Sequence, residues 1–190
     1  MANAANAEEL FRKSGAVRQG HFLLASGLHS PVYWEKFQVL QYPEYTTELC
    51  KMIASHYRSQ RIEVVAGPTT GGVILAYEVA RQLGVRGIFA EKTPGGHRAF
   101  RRGFGIAKGE RVLIVDDIMT TGGSIKETID AVNTLGGNII GIGILVDRSE
   151  KKNSLGFPLF SCLKTNELTY KPESCPLCLG GKPLVKPGGN

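Results

Sequence analysis

Val112-Leu113-Ile114-Val115-Asp116-Asp117-Ile118-Met119-Thr120-Thr121-Gly122-Gly123-Ser124 is the stretch on which the fold of this chain turns. Four consecutive apolar residues suit a strand buried on both faces, as in a parallel sheet covered by helices. Two adjacent carboxylates end the run. A Thr-Thr-Gly-Gly-Ser turn then opens a segment predicted helical from Ser124 to Leu135 and stopped by Gly136-Gly137. Glycines let the backbone come close to an anion, and hydroxyls and the free N–H groups of a helix start donate to a phosphate. The two acids beside them can accept hydrogen bonds from vicinal hydroxyls such as a ribose carries. A solvated strand end with a plain turn is the competing reading. It is disfavoured because like charges at the mouth of a buried strand are costly without a cation or hydroxyl partner.

The same pattern recurs upstream. Val64-Val65-Ala66 reads as a strand, Gly67-Pro68-Thr69-Thr70-Gly71-Gly72 as a turn, and Val73 to Leu83 as a helix ended by Gly84. Gly87 to Ala90 is a strand, Lys92 to Phe104 a polar, glycine-rich loop, and Ile139 to Val146 another strand. Short apolar strands alternating with helices define βαβ units, hence an α/β protein with a mostly parallel open sheet flanked by helices. Ligands of such sheets sit at the carboxyl ends of the strands. The second turn is therefore a second candidate phosphate cradle, although Gly71-Gly72 could equally serve close helix–strand packing. No Gly-x-Gly-x-x-Gly follows a strand, and no Gly-Lys-Ser/Thr is present, which disfavours dinucleotide and Walker-type sites.

Towards the N-terminus, Asn6 is predicted to cap a helix that carries Glu8 and Glu9 in its first turn and stops at Gly15. His21 to Ser26 and Val32 to Phe37 read as extended, and Pro43 to Ser59 as a helix with Leu49, Ile53 and Tyr57 on one face. After Arg148 the periodicity weakens, and residues 171–190 form a tail rich in Pro, Gly and Lys. Residues 1–170 are expected to be a single domain.

The net charge of +6, from 23 basic and 17 acidic residues, suits a phosphate-rich ligand. Only Arg98, Arg101 and Arg102 cluster, so no nucleic acid is expected as partner. No apolar run reaches the roughly 18 residues of a membrane span and no signal pattern opens the chain, so a cytoplasmic protein with no membrane partner is expected. Cys50 falls on a helix's apolar face. Cys175-Pro176-Leu177-Cys178 has the spacing of half a tetrahedral metal site, with Cys162 as a candidate third ligand. The favoured reading is instead two buried thiols, or a redox-sensitive pair in a loose tail.

The 112–124 segment resembles the signature by which type I phosphoribosyltransferases bind 5-phosphoribosyl-1-pyrophosphate (PRPP). The resemblance implies that Asp116 and Asp117 hold the ribose hydroxyls and that Thr120, Thr121, Gly122, Gly123 and Ser124 hold the 5′-phosphate. By the same resemblance Thr69, Thr70, Gly71 and Gly72 face the pyrophosphate. Leu24-Ala25-Ser26-Gly27-Leu28-His29-Ser30-Pro31-Val32-Tyr33-Trp34 and Val146-Asp147-Arg148 resemble the orotate-using members. That assigns Ser26, Tyr33, Thr120 and Arg148 to the base and makes residues 1–40 part of a small N-terminal hood. A guanidinium fork suits the orotate carboxylate, with a surface salt bridge from Arg148 to Asp147 or Glu150 as the alternative.

Lys92 and His97 match the family's mobile catalytic loop. Ala25, Gly71 and Gly95, however, stand where better-known bacterial members have lysine, which suggests a divergent subgroup in which Arg98, Arg101 or Arg102 supplies the loop's cation. The resemblance further implies Mg²⁺ held mainly by PRPP and water with no direct protein ligand, and a homodimer sharing the 92–104 loop. The rival readings are a phosphoribosyltransferase for a purine or uracil, and a non-catalytic PRPP sensor.

Overall fold

Strands β3 (Val64–Pro68) and β6 (Arg111–Met119) lie side by side and parallel, with Ala66 opposite Ile114, at the centre of a six-stranded sheet. The computed structural model describes residues 2–24, 26–149, 155–165 and 168–187. Outward from β3 come β4 (Arg86–Lys92), parallel, and β5 (Arg98–Phe100), antiparallel. Outward from β6 come β7 (Asn138–Asp147) and β8 (Leu159–Lys164), both parallel. The order β5-β4-β3-β6-β7-β8 follows from two crossovers running in opposite directions. Helix α4 (Gly71–Leu83) carries the chain from β3 to β4, and α5 (Gly123–Thr134) carries it from β6 to β7. The strand order therefore reverses between β3 and β6, and the crevice at such a reversal is where open α/β sheets bind ligands.

Right-handed crossovers of opposite direction place α4 and α5 on opposite faces of the sheet. Alternate residues of β6 feed two cores accordingly. Leu113 and Val115 pack with α4 and with α3 (Pro43–Tyr57), whereas Val112 and Ile114 pack with Ile125, Ile129 and Val132 of α5. All four strand residues are fully buried, each worth about 1.5–3 kcal/mol relative to exposure. Helix α3 rests so close to β7 that a Cβ at Gly141 would lie 2.5 Å from the Tyr57 ring, and one at Gly143 would collide with Ile53. That close approach explains two glycines inside a central strand. The buried Tyr57 hydroxyl donates to Ile142 O at 2.9 Å, and burial pushes its pKa up to about 12.

The first residues form α1 (Ala2–Lys13), followed by the antiparallel hairpin β1 (Val17–Leu23) and β2 (His29–Trp34) and the short α2 (Lys36–Leu40). Phe11 of α1 packs edge-on against Trp34 of β2, with ring centres 5.2 Å apart. Several expectations are corrected here. Asn6 does not cap α1 but sits within it, because the alanines around it propagate the helix back to Ala2. The 92–104 loop contains a strand: Arg98–Phe100 pairs with β4, Phe100 opposite Ala90. Beyond Arg148 the chain returns to the sheet as β8.

The tail is not loose. Tyr170 exchanges backbone hydrogen bonds with His29 (both 2.8 Å), and Val185 bonds to His21 and Leu23 (2.8 and 2.9 Å), so the tail runs along the hairpin. Four of its residues form α6 (Pro176–Leu179). Cys175 is buried but Cys178 is exposed, and Cys162 is remote from both, its thiol set against Leu49 O in the main core. Ala25 and Glu150 lie outside the described residues.

Candidate active site

Because successive residues of a strand point to opposite faces, Asp116 and Asp117 diverge, each towards one of the two helix starts. Asp116 accepts the Ser124 hydroxyl at 2.7 Å, in the first turn of α5, and the Asp117 N–H at 2.9 Å. Asp117 turns to the α4 side, where its Oδ2 packs against Gly71, the first residue of that helix. Its Oδ1 accepts the Ile118 N–H at 2.6 Å, and Lys36 Nζ lies 2.9 Å from both carboxylate oxygens. Neither helix start is capped by a side chain: Thr70 precedes α4 and Gly122 precedes α5. Their first-turn N–H groups therefore face the crevice from both sides of the acids, a ready anion site at each end. The turn residues Thr120, Thr121 and Gly123 are exposed there, as is Thr70, while Gly122 and Gly72 are buried.

Of the two readings offered for Gly71 and Gly72, the distances bear on close packing. A Cβ at Gly72 would lie 2.7 Å from Pro68 Cδ and 3.1 Å from Gly67 C, so close helix–strand packing requires glycine there. At Gly71 it is the Asp117 carboxylate that needs the room.

Asp116 and Asp117 are only 5% and 2% exposed. Burial, and then the neighbouring Asp117 charge, push the Asp116 pKa up to about 6 against the Ser124 and Asp117 N–H hydrogen bonds and the Lys36 charge. A carboxyl whose pKa is raised on folding holds a proton in the native state that the unfolded chain has already released. Its stabilising contribution is thus complete below about pH 4 and is lost as pH climbs to about 6. Asp116→Asn keeps the shape and removes the charge. It should melt at or above the wild-type temperature at pH 7, with that advantage shrinking towards pH 4 in thermal scans. A variant less stable at pH 7 than at pH 4, relative to wild type, would contradict the buried-charge account.

The remaining residues divide by element. Arg148 follows β7, and its N–H donates to Met119 O at 2.8 Å, which fastens the end of β7 to the start of the turn before α5. Asp147 beside it accepts from Ser149 and pairs with Lys164 at 3.3 Å. Arg98 is built into the fold: its guanidinium donates to Thr69 Oγ1 (3.1 Å) and Ala90 O (3.2 Å), and its Nε lies 3.1 Å from Glu127 Oε2. It braces the Thr69 turn against α5. Arg102 pairs with Glu91 at 2.9 Å, and Lys92, His97 and Arg101 are exposed on the β4–β5 hairpin. His97 and Arg98 line a groove with Glu127, Asp130, Ala131 and Thr134 on the flank of α5. Ser26 is exposed at the β1–β2 turn, and Tyr33 packs on Phe22 in the hairpin, with ring centres 5.6 Å apart. Both belong to the β1–β2 hairpin, a two-stranded sheet separate from the six-stranded one.

Lys36 escaped the sequence reading. It lies 81 positions from its partner in a segment taken as extended, and no local pattern marks it.

A parallel sheet with a twin-acid strand tip between two glycine-rich helix starts is the frame of one class. Residues 38–177 match the phosphoribosyl transferase domain family, and the chain belongs to it. Within that family its sequence groups with the orotate phosphoribosyltransferases. It is 51% identical over 180 residues to the one from Caldanaerobacter subterraneus, covering 95% of this chain and 94% of that protein. The orotate phosphoribosyltransferase of a Thermoanaerobacter species is 49% identical over the same length, covering 95% and 94%. Among solved structures, orotate phosphoribosyltransferase from Aeropyrum pernix is 30% identical with a TM-score of 0.70, covering 83% of this chain and 92% of that one. The α/β fold with its mostly parallel, helix-flanked sheet is thus the family's own.

Proposed function

We propose that this protein transfers the phosphoribosyl group of PRPP to orotate, giving orotidine 5′-monophosphate and pyrophosphate. The observation that carries this reading is the acid pair, Asp116 and Asp117, set between two uncapped helix starts on neighbouring strands. That spacing suits a pentose with phosphate at both ends: the 5′-phosphate on Thr120 to Ser124 and the pyrophosphate on Thr69 to Gly72.

In the reaction, a C1–N bond to the base forms as the C1–O bond to pyrophosphate breaks. Positive charge gathers on the ribose and negative charge on the leaving group. Asp116 and Asp117 fix the ribose hydroxyls and lend negative potential to the cationic ring. The helix starts, with Lys36 beside them, face the phosphates. Mg²⁺ fits beside this donor set, since two carboxylates only 5% and 2% exposed leave negative charge in the crevice for a hydrated hard cation to face. Held mainly by PRPP and water beside Asp116 and Asp117, it would supply charge neutralisation to the leaving group. The 92–104 hairpin, with Lys92, His97 and Arg101, closes over the site and excludes water, which would otherwise hydrolyse PRPP. We further propose that the enzyme works in the cytoplasm as a homodimer whose hairpins reach the neighbouring site. Among the described residues no helix is long and apolar enough to cross a membrane.

The base is the specific part of the proposal. Arg148, held beside the phosphate turn, presents a guanidinium suited to the orotate carboxylate. Purified protein with Mg²⁺ and PRPP, offered a panel of bases, should release pyrophosphate with orotate and not with hypoxanthine, adenine or uracil. Arg148→Ala should lower kcat/KM for orotate by about 10- to 100-fold, the worth of one charged hydrogen bond. Turnover of another base, or tight PRPP binding without any turnover, would displace the proposal.

A further inference from the structure

Far from the acid pair in sequence, four metal-ligating side chains converge on the hood. His21 of β1, His29 of β2, Cys175 and Cys178 place their donor atoms within 4.8 Å of one another. His21 Nε2 is 2.9 Å from His29 Nδ1, and Cys178 Sγ is 3.3 Å from His29 Nδ1 and 3.7 Å from His21 Nε2. Cys175 Sγ is 3.5 Å from His21 Nε2. A tetrahedral zinc with bonds of about 2.0–2.1 Å to nitrogen and about 2.3 Å to sulfur has edges of about 3.3 Å between nitrogens. Its nitrogen–sulfur edges are about 3.6 Å and its sulfur–sulfur edge about 3.8 Å. Four of the six edges are thus within about 0.4 Å of that tetrahedron, and the two others, from Cys175 to Cys178 and to His29, lie within 4.8 Å.

Two further observations fit a metal better than a set of mutual hydrogen bonds. His21 Nδ1 lies 2.7 Å from Lys182 O, an acceptor only, so Nδ1 carries the proton and Nε2 turns its lone pair into the cluster. This is the outer contact that metal-bound imidazoles usually make. The tail, moreover, has almost no core of its own. Within 171–187 Cys175 is the buried apolar residue, while Leu179, Leu184 and Val185 are 85%, 45% and 50% exposed. Yet backbone bonds at Tyr170 and Val185 bracket the cysteines and lay the tail along the hairpin. So short a segment needs a staple to hold such a path.

We propose that His21, His29, Cys175 and Cys178 bind a structural zinc ion that fastens the C-terminal tail to the β1–β2 hairpin. Two thiolates and two imidazoles select zinc over the hard cations that serve PRPP, and the two thiolates cancel the ion's charge in a largely buried setting. With four protein ligands the site is closed, so the ion is not a catalyst. It fixes the hairpin that carries Ser26 and Tyr33. The inference does not depend on which base the enzyme uses.

The test is elemental analysis of the full chain, purified without chelator, together with absorption spectra after exchange of zinc for Co²⁺. About one zinc per chain is expected, with thiolate-to-cobalt charge transfer and the intense ligand-field bands of tetrahedral cobalt. Cys178→Ser and His21→Ala should lose the metal, and stripping zinc from the wild type should open residues 171–187 to limited proteolysis. If the variants do not fold, the wild-type cobalt spectrum decides alone. A wild-type chain that takes up neither Zn²⁺ nor Co²⁺ would overturn the proposal. So would spectra without thiolate ligation, or zinc retained at wild-type level by folded Cys178→Ser and His21→Ala.

Discussion

Asp117→Asn is expected to lower kcat/KM for PRPP by about 30- to 900-fold while leaving the protein folded. The substitution preserves volume and removes one charge from the acid pair. Losing a charged contact aimed at the transition state costs about 2–4 kcal/mol, and each 1.36 kcal/mol is a factor of ten. Two features keep the fold intact. Lys36, the ion-pair partner, has a side chain 38% exposed and can turn its ammonium to water. Asp116 and Asp117 also repel each other, so removing one charge relieves the other. Asp117 is among the causes that raise the Asp116 pKa, and in the variant that pKa should fall. Steady-state kinetics with both substrates, beside a thermal melt, separate the outcomes. Turnover equal to wild type would remove Asp117 from the ribose site. A collapsed melting temperature would recast the residue as structural.

The parts of this site that could be read from sequence are those written in one continuous segment. Strand, acid pair, turn and helix follow one another within Val112 to Ser124, and strand, turn and helix within Val64 to Leu83. Burial periodicity and turn chemistry then carry the prediction locally. What could not be read depends on contacts between distant segments. Lys36 meets Asp117 only because the hood folds back on the sheet. Cys175 and Cys178 looked like half a metal site because their histidine partners are about 150 residues earlier, brought near by the hairpin and the returning tail. Cys162, nearer in sequence, faces a different core. Strands β5 and β8 escaped for another reason: edge strands are short and carry polar residues, so Arg98-Ala99-Phe100 shows none of the apolar continuity that marked β6. Asn6 has a good capping side chain, but the alanine-rich run before it makes continuing the helix cheaper than ending it.

The packing of Gly71 leads to the other large effect. Alanine at the first position of a helix would ordinarily be neutral or mildly stabilising, because glycine is the poorer helix former by about 1 kcal/mol. Here the added Cβ would collide with Asp117 Oδ2 and come within 2.9 Å of its Cγ. The obstacle is the end of a short side chain, not backbone, so the carboxylate can rotate away and the fold survives. Rotation breaks the contact with Lys36 and the hydrogen bond from Ile118 N–H, and carries the charge out of its place in the crevice. Gly71→Ala should therefore lose activity on the scale of Asp117→Asn, about 30- to 900-fold, with a stability change within the usual overpacking range of about 1–3 kcal/mol. The mechanism is specific enough to be checked by a double mutant. If Gly71 acts by making room for the Asp117 carboxylate, adding Gly71→Ala to Asp117→Asn should cost little more than either change alone. Independent, multiplying losses would instead mean that the glycine serves the pyrophosphate directly through its backbone. The resemblance places lysine here in better-known bacterial members. This chain gives that volume to an acid and brings the ammonium of Lys36 to it from the hood, so Gly71→Lys should be no milder than Gly71→Ala.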